Sequence, residues 1–470
     1  MPVFTRHGAA PVTAQALYDW HARPGALERL APPWLDVDVL RFDGLADGSR
    51  TELRIGAGPA RVRWLAEHRD VRPGESFTDV AIEAPFPEWS HVHSFLPAGP
   101  GHSVVEDGVT YRVPALPGAT FAEEITERQL ERLFIYRQRT TATDVARHAA
   151  GETLTVAVTG STGLVGSALT AFLLSGGHRV VRLVRDRRAA ARTVKRPGER
   201  LVYWNVEAGE LDEDRLARAA PDAVVHLGGS TLFAPWTAGR RRQMWESRVK
   251  GTHLLARALA RMPTPPRVFL SGSAVGYYGD AGATRLDEAA PAGTGFLADL
   301  VREWEAAAGA AADAGIRVVH PRSGIVLSPR GGILGALLPA ARSGLAGWPG
   351  DGRAYVPWIG IDDVLYALLH LMRGDVAGPV NVSAPEPVHV RRLIEVLGAV
   401  LKRPTPLRVP ARLVRAAGGR MARELLGSTR AVPERLVESG FTFEHPDLEE
   451  ALRHLLGRTA PPGIAADIGH

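Results

Sequence analysis

A glycine-rich segment near the middle of the chain has the residue spacing of a phosphate-binding turn. Thr159-Gly160-Ser161-Thr162-Gly163-Leu164-Val165-Gly166 reads G-x-x-G-x-x-G between an apolar stretch and a helical pattern. The first glycine of such a turn permits the tight bend, the second lets backbone amides approach a pyrophosphate, and the third lets helix and strand pack closely. The segment therefore predicts a dinucleotide-binding site.

The residues that follow the next apolar stretch indicate which dinucleotide is bound. Where an acid would hold a ribose 2′-hydroxyl, the chain has Arg185, with Arg187, Arg188 and Arg192 beyond it. A guanidinium can bind a 2′-phosphate bidentately, whereas an acid repels it. We therefore predict NADP rather than NAD. A solvated basic helix face is the alternative interpretation, and Asp186 favours NAD.

Residue types that the chain lacks exclude several mechanisms. It has no cysteine, and its three lysines are Lys195, Lys250 and Lys402. Disulfides, thiolate nucleophiles, Cys-ligated zinc and iron–sulfur clusters are thereby excluded. No lysine follows a glycine and precedes Ser or Thr, so there is no Walker A loop. None stands four residues after a tyrosine, so the Tyr-x-x-x-Lys pair of ordinary short-chain dehydrogenases is also absent.

Three of the histidines within predicted strands are candidates for a site or for the core. His91 and His93 point to one face of their strand, as two metal ligands would. Without a third ligand at usable spacing we predict no metal site. His226 lies among apolar residues, and we expect it to be buried and hydrogen-bonded.

Length and charge place these motifs in a chain of several domains. The 470 residues suggest two to four domains, and 45% apolar residues with a mean hydropathy of −0.06 indicate a soluble globular protein. Residues 1–150 carry a net charge of −4 and residues 151–470 one of +9. No basic run is interleaved with aromatics, so nucleic acid is not predicted as a partner. No signal peptide or membrane span is recognised, and a cytoplasmic location is predicted.

The pattern of apolar segments divides the chain into four parts. Residues 1–150 show a first strand, a helix at 11–30, period-two strands and a long helix from 121 to about 148. Residues 151–385 alternate apolar strands with helices, including 239–261 and 297–314, which predicts a doubly wound parallel sheet. Residues 386–457 form a smaller helical lobe with helices at 388–401, 411–425 and 447–456. Residues 458–470 are expected to be a disordered tail.

The first part resembles the START/polyketide-cyclase (SRPBCC) helix-grip family. The phrases WHARPGALERLAPPW, APFPEWSHVHSF and ERLFIYRQR carry the resemblance. It implies an α+β domain whose sheet and long helix enclose an apolar ligand. Six aromatic residues have two possible interpretations, as the lining of that cavity or as ordinary core residues. They are Trp20, Trp34, Trp64, Trp89, Phe86 and Phe95.

Residues 154–456 resemble an atypical extended short-chain dehydrogenase/reductase family, NAD-dependent epimerase/dehydratase-like and in places labelled a cell-division inhibitor. The matching motifs are VTGSTGLVGSAL, AVVHLGG, SRVKGTHLL, SGSAVGYYGD, HPRSGIVLSPRGGILGALLP, VPWIGIDDV and GSTRAVPERLVESGFTFEHPDLEEAL. The resemblance implies a Rossmann fold with a small α-rich C-terminal lobe. It also adds Leu227, Gly228 and Gly229 to the cofactor-binding residues.

The same resemblance shows where the usual chemistry is missing. Ser273 matches the family serine, but the Tyr and Lys positions hold Phe296 and Leu300, which cannot move a proton. Tyr277 or Tyr278 could instead donate it, although a packing role is the simpler interpretation of Tyr278.

Other residues near the expected site have simpler interpretations as well. Arg248 could clamp an anionic substrate or stabilise an oxyanion. Trp236 is expected over the substrate opening or in the core. Asp362 and Asp363 are expected to cap a helix N-terminus and to complement the helix dipole.

The sequence therefore predicts an NADP(H)-dependent oxidoreductase acting on a small carbonyl or hydroxyl substrate, with an accessory apolar-ligand domain. A non-catalytic NADP-binding regulator related to cell division is the main alternative, and a nucleotide-sugar epimerase is the third. The sequence makes no prediction of the substrate or the oligomeric state.

Overall fold

The computed structural model describes residues 1–56, 61–114, 119–186, 197–231, 236–410, 412–414, 416, 419 and 427–459. Most of the helix predicted at 411–425, the tail from 460, and Arg187, Arg188 and Arg192 lie outside these residues. None of the described helices is both long enough and apolar enough to span a bilayer.

The N-terminal region is a seven-stranded antiparallel sheet with three helices packed against it. Its elements are β1 (Val3–Ala10), α1 (Ala14–Ala22), α2 (Ala26–Leu30), β2 (Val37–Phe42), β3 (Arg50–Ile55), β4 (Val62–Arg72), β5 (Ser76–Glu83), β6 (Glu88–Pro97), β7 (Ser103–Arg112) and α3 (Ala119–Ala149). The strand order is β1-β7-β6-β5-β4-β3-β2. Buried and less buried residues alternate along β7, which is the period-two pattern of a sheet covered on one face. The predicted sheet and long helix are observed, and membership of the helix-grip family stays a prediction.

The single helix predicted at 11–30 is wrong, because the chain breaks it at Arg23-Pro24-Gly25. Proline cannot continue a helix, and Gly25 has φ +89°. A Cβ on Gly25 would lie 2.3 Å from the carbonyl oxygen of Ala171 in the second region. The break therefore also lets the two regions approach closely.

The second region is built on seven parallel strands with helices on both faces. Its first half contains β8 (Thr155–Thr159), α4 (Leu164–Ser175), β9 (Arg179–Val184), β10 (Glu199–Asn205), β11 (Glu210–Leu211), α5 (Glu213–Ala219), β12 (Ala223–His226), α6 (Ala238–Trp245), a π-helical turn (Glu246–Lys250), α7 (Gly251–Ala260) and β13 (Val268–Ser271). Its second half contains β14 (Ser273–Ala274), a 3₁₀ turn (Val275–Tyr278), β15 (Arg285–Leu286), α8 (Phe296–Ala306), α9 (Gly309–Asp313), β16 (Arg317–Ser323), β17 (Ile325–Leu327), α10 (Gly332–Arg342), β18 (Gly347–Pro349), β19 (Tyr355–Val356), β20 (Trp358–Gly360), α11 (Ile361–Arg373) and β21 (Gly378–Val382).

The parallel strands follow the order β10-β9-β8-β12-β13-β16-β21. This is the doubly wound Rossmann order, and the direction of winding reverses between β8 and β12. Val156 and Val158 of β8 belong to one apolar cluster and Ala157 to another, so the central strand is covered on both faces. The parallel sheet predicted for this region is confirmed.

Two helices predicted as continuous are interrupted. The helix predicted at 239–261 contains the π-helical turn Glu246–Lys250, which carries Arg248. The helix predicted at 297–314 is two helices, α8 and α9. In both cases the sequence predicted the helical residues but not the interruption, because the spacing of apolar residues specifies helix continuity weakly.

The C-terminal lobe consists of short elements that follow the large sheet. They are β22 (Val388–His389), α12 (Val390–Leu401), β23 (Leu407–Val409), β24 (Arg430–Ala431), α13 (Glu434–Glu438) and α14 (Leu448–Leu455). Helices α10, α12 and α14 share one apolar cluster, so the lobe packs onto the end of the Rossmann region.

A buried ionic network joins the N-terminal region to the rest. Arg29 of α2 donates to Asp144 of α3 at 2.7 and 2.9 Å and to Asp362 of α11 at 2.8 Å. His454 contacts the other oxygen of Asp362 at 3.2 Å, and Asp363 accepts the backbone N–H groups of residues 444 and 445. The expected N-cap role of both aspartates is wrong, since the cap residue is Gly360 and the carboxylates reach other parts of the chain.

Candidate functional site

A polar cleft lined by residues that the sequence predicts for the cofactor lies at the carboxyl ends of β8 and β12. Its volume is about 550 Å³. Eight of the predicted cofactor residues line it: Gly160, Ser161, Thr162, Gly163, Arg185, Leu227, Gly228 and Gly229. Leu164, Val165 and Gly166 lie in the first turn of α4 and do not line it. The cleft occupies the switch point at which ligands bind in open parallel sheets.

Two of the three glycines of the turn stand where the structure leaves no room for a side chain. Gly160 has φ +65°, and a Cβ there would lie 2.6 Å from the carbonyl oxygen of Leu227. A Cβ on Gly166 would lie 2.2 Å from the carbonyl oxygen of Gly160. Contacts this short exclude a side chain at either position, so only glycine lets the turn fold beneath the loop after β12.

The N-terminus of α4 opens into this cleft without a side-chain cap. Gly163 is the N-cap residue, and its lack of a side chain leaves the first amides of the helix without an intrahelical partner. Such amides, together with the positive end of the helix dipole, favour an anion. These features are those of a turn that can hold a pyrophosphate.

The loop after β12 is held in place by Thr159 and His226. The Thr159 hydroxyl contacts His226 Nδ1 at 2.6 Å and accepts the Gly228 N–H at 3.0 Å. Burial, followed by the charge of Arg248, lowers the pKa of His226 to about 3, so the ring is neutral. His226 is buried as predicted, but only Nδ1 has a hydrogen-bond partner, and among the described residues Nε2 has none.

Two arginines of β9 and its end have different roles. Arg185 lines the cleft together with Asp186. Arg182, which the sequence analysis did not single out, is buried and donates to the Ser161 hydroxyl at 3.1 Å. Arg182 therefore positions the glycine turn, while Arg185 faces the space beside it.

Ser273 and the two tyrosines come together around a buried ion pair that the sequence analysis missed. Arg322 of β16 donates twice to Glu305 of α8, at 2.8 and 2.9 Å, and Ser273 donates to the same carboxylate at 2.6 Å. The Arg322 guanidinium carbon lies 3.5 Å from the centre of the Tyr277 ring. Arg322 stands in the quoted motif HPRSG, but only the tertiary pairing of β14 with β16 places it beside Ser273.

The two tyrosines differ in what their hydroxyl groups contact. Tyr278 is buried, donates to Asn381 Oδ1 at 2.8 Å and accepts from Arg322 at 3.0 Å. Burial raises the pKa of Tyr278, although Arg322 opposes this. Tyr277 is partly exposed, and its hydroxyl has no hydrogen-bond partner among the described residues. The geometry therefore gives Tyr278 a packing role and leaves Tyr277 available.

Arg248 lies beneath the loop after β12. Its guanidinium donates to the Ser230 carbonyl at 3.0 Å and lies 5.2 Å from the Trp304 ring. Burial, followed by the charge of Arg240, lowers the pKa of Arg248 to about 10. A Cβ on Gly229 would lie 2.9 Å from the guanidinium carbon, so Arg248 supports the cleft from behind this glycine.

The residues at the usual Tyr and Lys positions are placed on α8. Phe296 packs against Trp236 with ring centres 5.4 Å apart, and Leu300 is buried. Trp236 therefore lies at the start of α8, beside one of the two positions that the family resemblance assigns to the proton-transfer pair.

The N-terminal region contains a second cavity of about 220 Å³. Of the six aromatics proposed to line it, Trp64 and Trp89 do so, whereas Trp20 and Phe95 belong to the core. Phe86 packs on Trp64 and Trp89, and Trp34 lines another pocket. The polar wall of the cavity is made of His21, Thr51, His68, Asp79, His91, His93 and Arg137. Asp79 of the neighbouring strand lies close to His91 and His93, with one oxygen or nitrogen atom of each residue within 4.8 Å of the others.

Sequence comparisons place the second region and the lobe among known proteins. Residues 156–383 match the NAD dependent epimerase/dehydratase family, and residues 409–455 match a domain of unknown function, DUF1731. An epimerase family protein of Mycobacterium tuberculosis is 40% identical over 306 residues, covering 64% of this chain and 98% of that protein. The human epimerase family protein SDR39U1 is 33% identical over 307 residues, 64% of this chain and 99% of that protein.

Solved structures extend the likeness to the whole chain. A structure described as the nucleoside-diphosphate sugar epimerase of Corynebacterium glutamicum is 32% identical with a TM-score of 0.77, covering 97% of this chain and 90% of that one. The human SDR39U1 structure with NADPH is 31% identical with a TM-score of 0.57, covering 65% of this chain and 100% of that one. The glycine turn, the Rossmann strand order and these likenesses agree: the chain belongs to the NAD dependent epimerase/dehydratase family.

Proposed function

We propose that the chain binds NADP(H) between β8 and β12 and acts as an oxidoreductase on the carbonyl or hydroxyl group of a small molecule. The observation that carries this proposal is the cleft itself, where two glycines that exclude any Cβ and an uncapped helix N-terminus form a cradle for a pyrophosphate. When bound, the nicotinamide supplies or accepts the hydride, and the protein supplies binding, orientation and electrostatics.

Arg185 supports the preference for NADP. It lines the same cleft as Gly160 and Gly163, at the end of β9, where the ribose-reading residue stands in this fold. The human relative was solved with NADPH, which is consistent with this preference. Asp186 lines the cleft too, and its carboxylate is the feature that favours NAD.

The test is the ratio of NADPH to NADH affinity measured by calorimetry on the full chain. Wild type should bind NADPH at least tenfold more tightly, and Arg185→Asp should erase or reverse the ratio. Arg179→Asp is the matched control, because Arg179 is exposed at the opposite end of the same strand. Equal wild-type affinities would contradict the proposed preference.

For the chemical step, Ser273 and Tyr277 are the proposed groups on the substrate side. The Ser273 hydroxyl is held by Glu305 and would hydrogen-bond the reacting oxygen. Tyr277 is the proposed proton donor, since the Tyr278 hydroxyl is already engaged by Asn381. Arg248 is proposed to act on developing negative charge, from its position behind Gly229.

A non-catalytic NADP-binding regulator is the second candidate. Phe296 and Leu300 at the usual proton-transfer positions favour it. An epimerase would need a proton-shuttling pair and is the weaker candidate, although the Corynebacterium glutamicum structure carries that description. Binding of NADPH without its consumption over a broad panel of carbonyl compounds would identify the regulator, whereas consumption with any of them supports the enzyme.

The N-terminal cavity is proposed to bind a small, largely apolar molecule. Leu53, Trp64, Phe77 and Trp89 supply its apolar wall, and the histidines and Asp79 supply one polar end. A hydrophobic fluorescent dye that binds wild type but not a Trp64→Arg variant would support this assignment, and absence of binding to wild type would contradict it.

A further inference from the structure

The polar wall of the N-terminal cavity is built by the register of four adjacent strands. His68 of β4 pairs with Asp79 of β5, and Asp79 pairs with His91 of β6. Two residues further along β6, His93 pairs with Asp107 of β7. Since side chains two residues apart on a strand share a face, the sheet brings these histidines and carboxylates together. Their positions are thus set by backbone hydrogen bonds rather than by a mobile loop.

Three of these side chains lie at the distances of a metal-ligand set. One ligand atom each of Asp79, His91 and His93 lies within 4.8 Å of the other two. His93 Nε2 and Asp79 Oδ2 are 3.4 Å apart. Both histidines are buried, and Asp79 is half-buried and lines the cavity. Two imidazoles and one carboxylate form the three-ligand set that zinc and iron enzymes use when they keep a position open.

A second layer of contacts orients these three side chains. Asp107 Oδ1 lies 3.0 Å from His91 Nε2 and 2.9 Å from His93 Nδ1. His68 Nδ1 lies 2.6 Å from Asp79 Oδ1, and Thr51 contacts the other nitrogen of His68 at 3.1 Å. Carboxylates that hold the outward nitrogen of a metal-bound histidine are the usual outer partners of such sites. His93, between Asp79 and Asp107, has that arrangement.

Several polar atoms of the cluster are left without a good hydrogen bond. His68 Nδ1, Asp79 Oδ1 and His93 Nδ1 are buried, and the short separations above are not aligned as hydrogen bonds. These atoms lie against other members of the cluster, His68 Nδ1 against Asp79 Oδ1 and His93 Nδ1 against Asp107, so the contacts around the three candidate ligands are imperfectly paired.

Charge also favours a cation at this position. Two carboxylates, Asp79 and Asp107, face the cluster, whereas Arg137 of α3 is the single guanidinium among the described residues that line this cavity. We propose that Asp79, His91 and His93 bind one divalent transition-metal ion, with Asp107 and His68 as positioning residues. Imidazole and carboxylate ligands together suit zinc and its neighbours in the first transition row rather than magnesium or calcium.

The cavity provides space for the ion's remaining position. The cavity beside the cluster has a volume of about 220 Å³. It is lined mainly by apolar side chains, among them Leu53, Trp64 and Trp89. An ion held by three protein ligands would therefore present its open position to a molecule bound in that space. The proposal does not depend on the function proposed for the Rossmann cleft.

The experiment uses the full chain, stripped with a chelator and titrated with Zn²⁺ by calorimetry, with Co²⁺ as a visible-absorption probe. One Zn²⁺ per chain should bind, and the Co²⁺ spectrum should show a low-coordinate site. Asp79→Asn and His93→Gln should each weaken Zn²⁺ binding at least 100-fold, and Asp107→Asn by about 10–100-fold. His102→Gln, an exposed histidine outside the cluster, should bind Zn²⁺ as wild type does.

NADPH affinity, measured on the same variants, reports whether the distant cleft is intact. Zn²⁺ binding that is unchanged in Asp79→Asn or lost in His102→Gln would overturn the proposal, as would a wild-type chain that binds no Zn²⁺. If Asp79→Asn and His93→Gln fail to fold, the comparison rests on the melting temperature: Zn²⁺ should raise that of wild type and raise that of Asp107→Asn less. Equal rises in the two would count against the site.

Discussion

The Rossmann cleft and the N-terminal cavity present polar groups in opposite ways. In the Rossmann cleft the glycine turn supplies space and backbone polar groups at the carboxyl ends of parallel strands, and charged side chains such as Arg185 and Lys250 line the cleft as well. In the N-terminal cavity the polar surface is formed by side chains. These side chains lie in the middle of antiparallel strands and contact one another. The first arrangement accepts a large anion, whereas the second concentrates negative charge and nitrogen donors around a point.

The two cavities are joined by one short helix. Leu27 and Leu30 of α2 line the N-terminal cavity, while Glu28 and Arg29 line a pocket that also contains Thr162 and Gly163 of the glycine turn. Arg29 is the link, because its partners Asp144 and Asp362 belong to different regions. Although burial opposes it, the Arg29 guanidinium holds the pKa of Asp362 below its usual range.

The largest expected effect is that of breaking this link. Arg29→Met leaves two buried carboxylates without their cation and should lower the free energy of unfolding by about 3–5 kcal/mol. Arg242→Met, which removes an exposed ion pair with Glu246, should cost about 1 kcal/mol or less. Chemical denaturation followed by both intrinsic fluorescence and NADPH binding is the measurement. Loss confined to one of the two signals would show that the regions unfold separately.

The role of empty space in the Rossmann cleft can be tested at one glycine. Gly160→Ala should weaken NADPH binding roughly 100-fold, about 3 kcal/mol, because its Cβ would lie 2.6 Å from the Leu227 carbonyl oxygen. Gly209→Ala is the matched control, since Gly209 has a similar φ of +69° but no atom within 4 Å of its Cβ. If both variants lost NADPH equally, backbone strain rather than close approach would be responsible.

The buried histidine of the cleft predicts a pH dependence. The pKa of His226 is lowered to about 3 in the folded chain, so only the unfolded chain takes up its proton as the pH falls below ~6.5. Its contribution to stability is present above that pH and is lost towards pH 3, at about 1.4 kcal/mol per pH unit.

Between pH 6.5 and pH 5, wild type should therefore lose about 2 kcal/mol more unfolding free energy than His226→Gln. Urea denaturation at several pH values measures the difference. His102→Gln, in which an exposed histidine is changed, should follow wild type. Parallel pH profiles for wild type and His226→Gln would be inconsistent with a neutral buried His226.

Substitutions of Tyr277 and Tyr278 are expected to have the smallest effects on stability, and the effects should differ between the two tyrosines. Tyr278→Phe removes the hydroxyl between Asn381 and Arg322 and should cost about 1–3 kcal/mol. Tyr277→Phe should change stability by about 0.5 kcal/mol or less. Once turnover is found, Tyr277→Phe should lower it by about 10²–10⁴-fold with unchanged NADPH affinity. Full turnover in Tyr277→Phe would assign the proton to another donor.

The cofactor cleft was predictable because its chemistry lies in one contiguous stretch of chain. Gly160, Gly163 and Gly166 indicate local requirements of the backbone. The alternation of strands and helices over residues 155–382 indicates a parallel sheet. Steric and periodic constraints of this kind act over a few residues. They can be read without knowing what packs against them.

Other features depend on contacts between distant segments. Asp79 becomes a neighbour of His91 only through the pairing of β5 with β6, and Arg322 reaches Ser273 only through the pairing of β14 with β16. Arg29 meets Asp362 across 333 positions of sequence. Strand register and the docking of α2 are set by the burial of whole faces, which no single residue specifies. For this reason composition and spacing predicted a Rossmann cleft, while the buried ionic link and the His–Asp cluster became visible only in the folded chain.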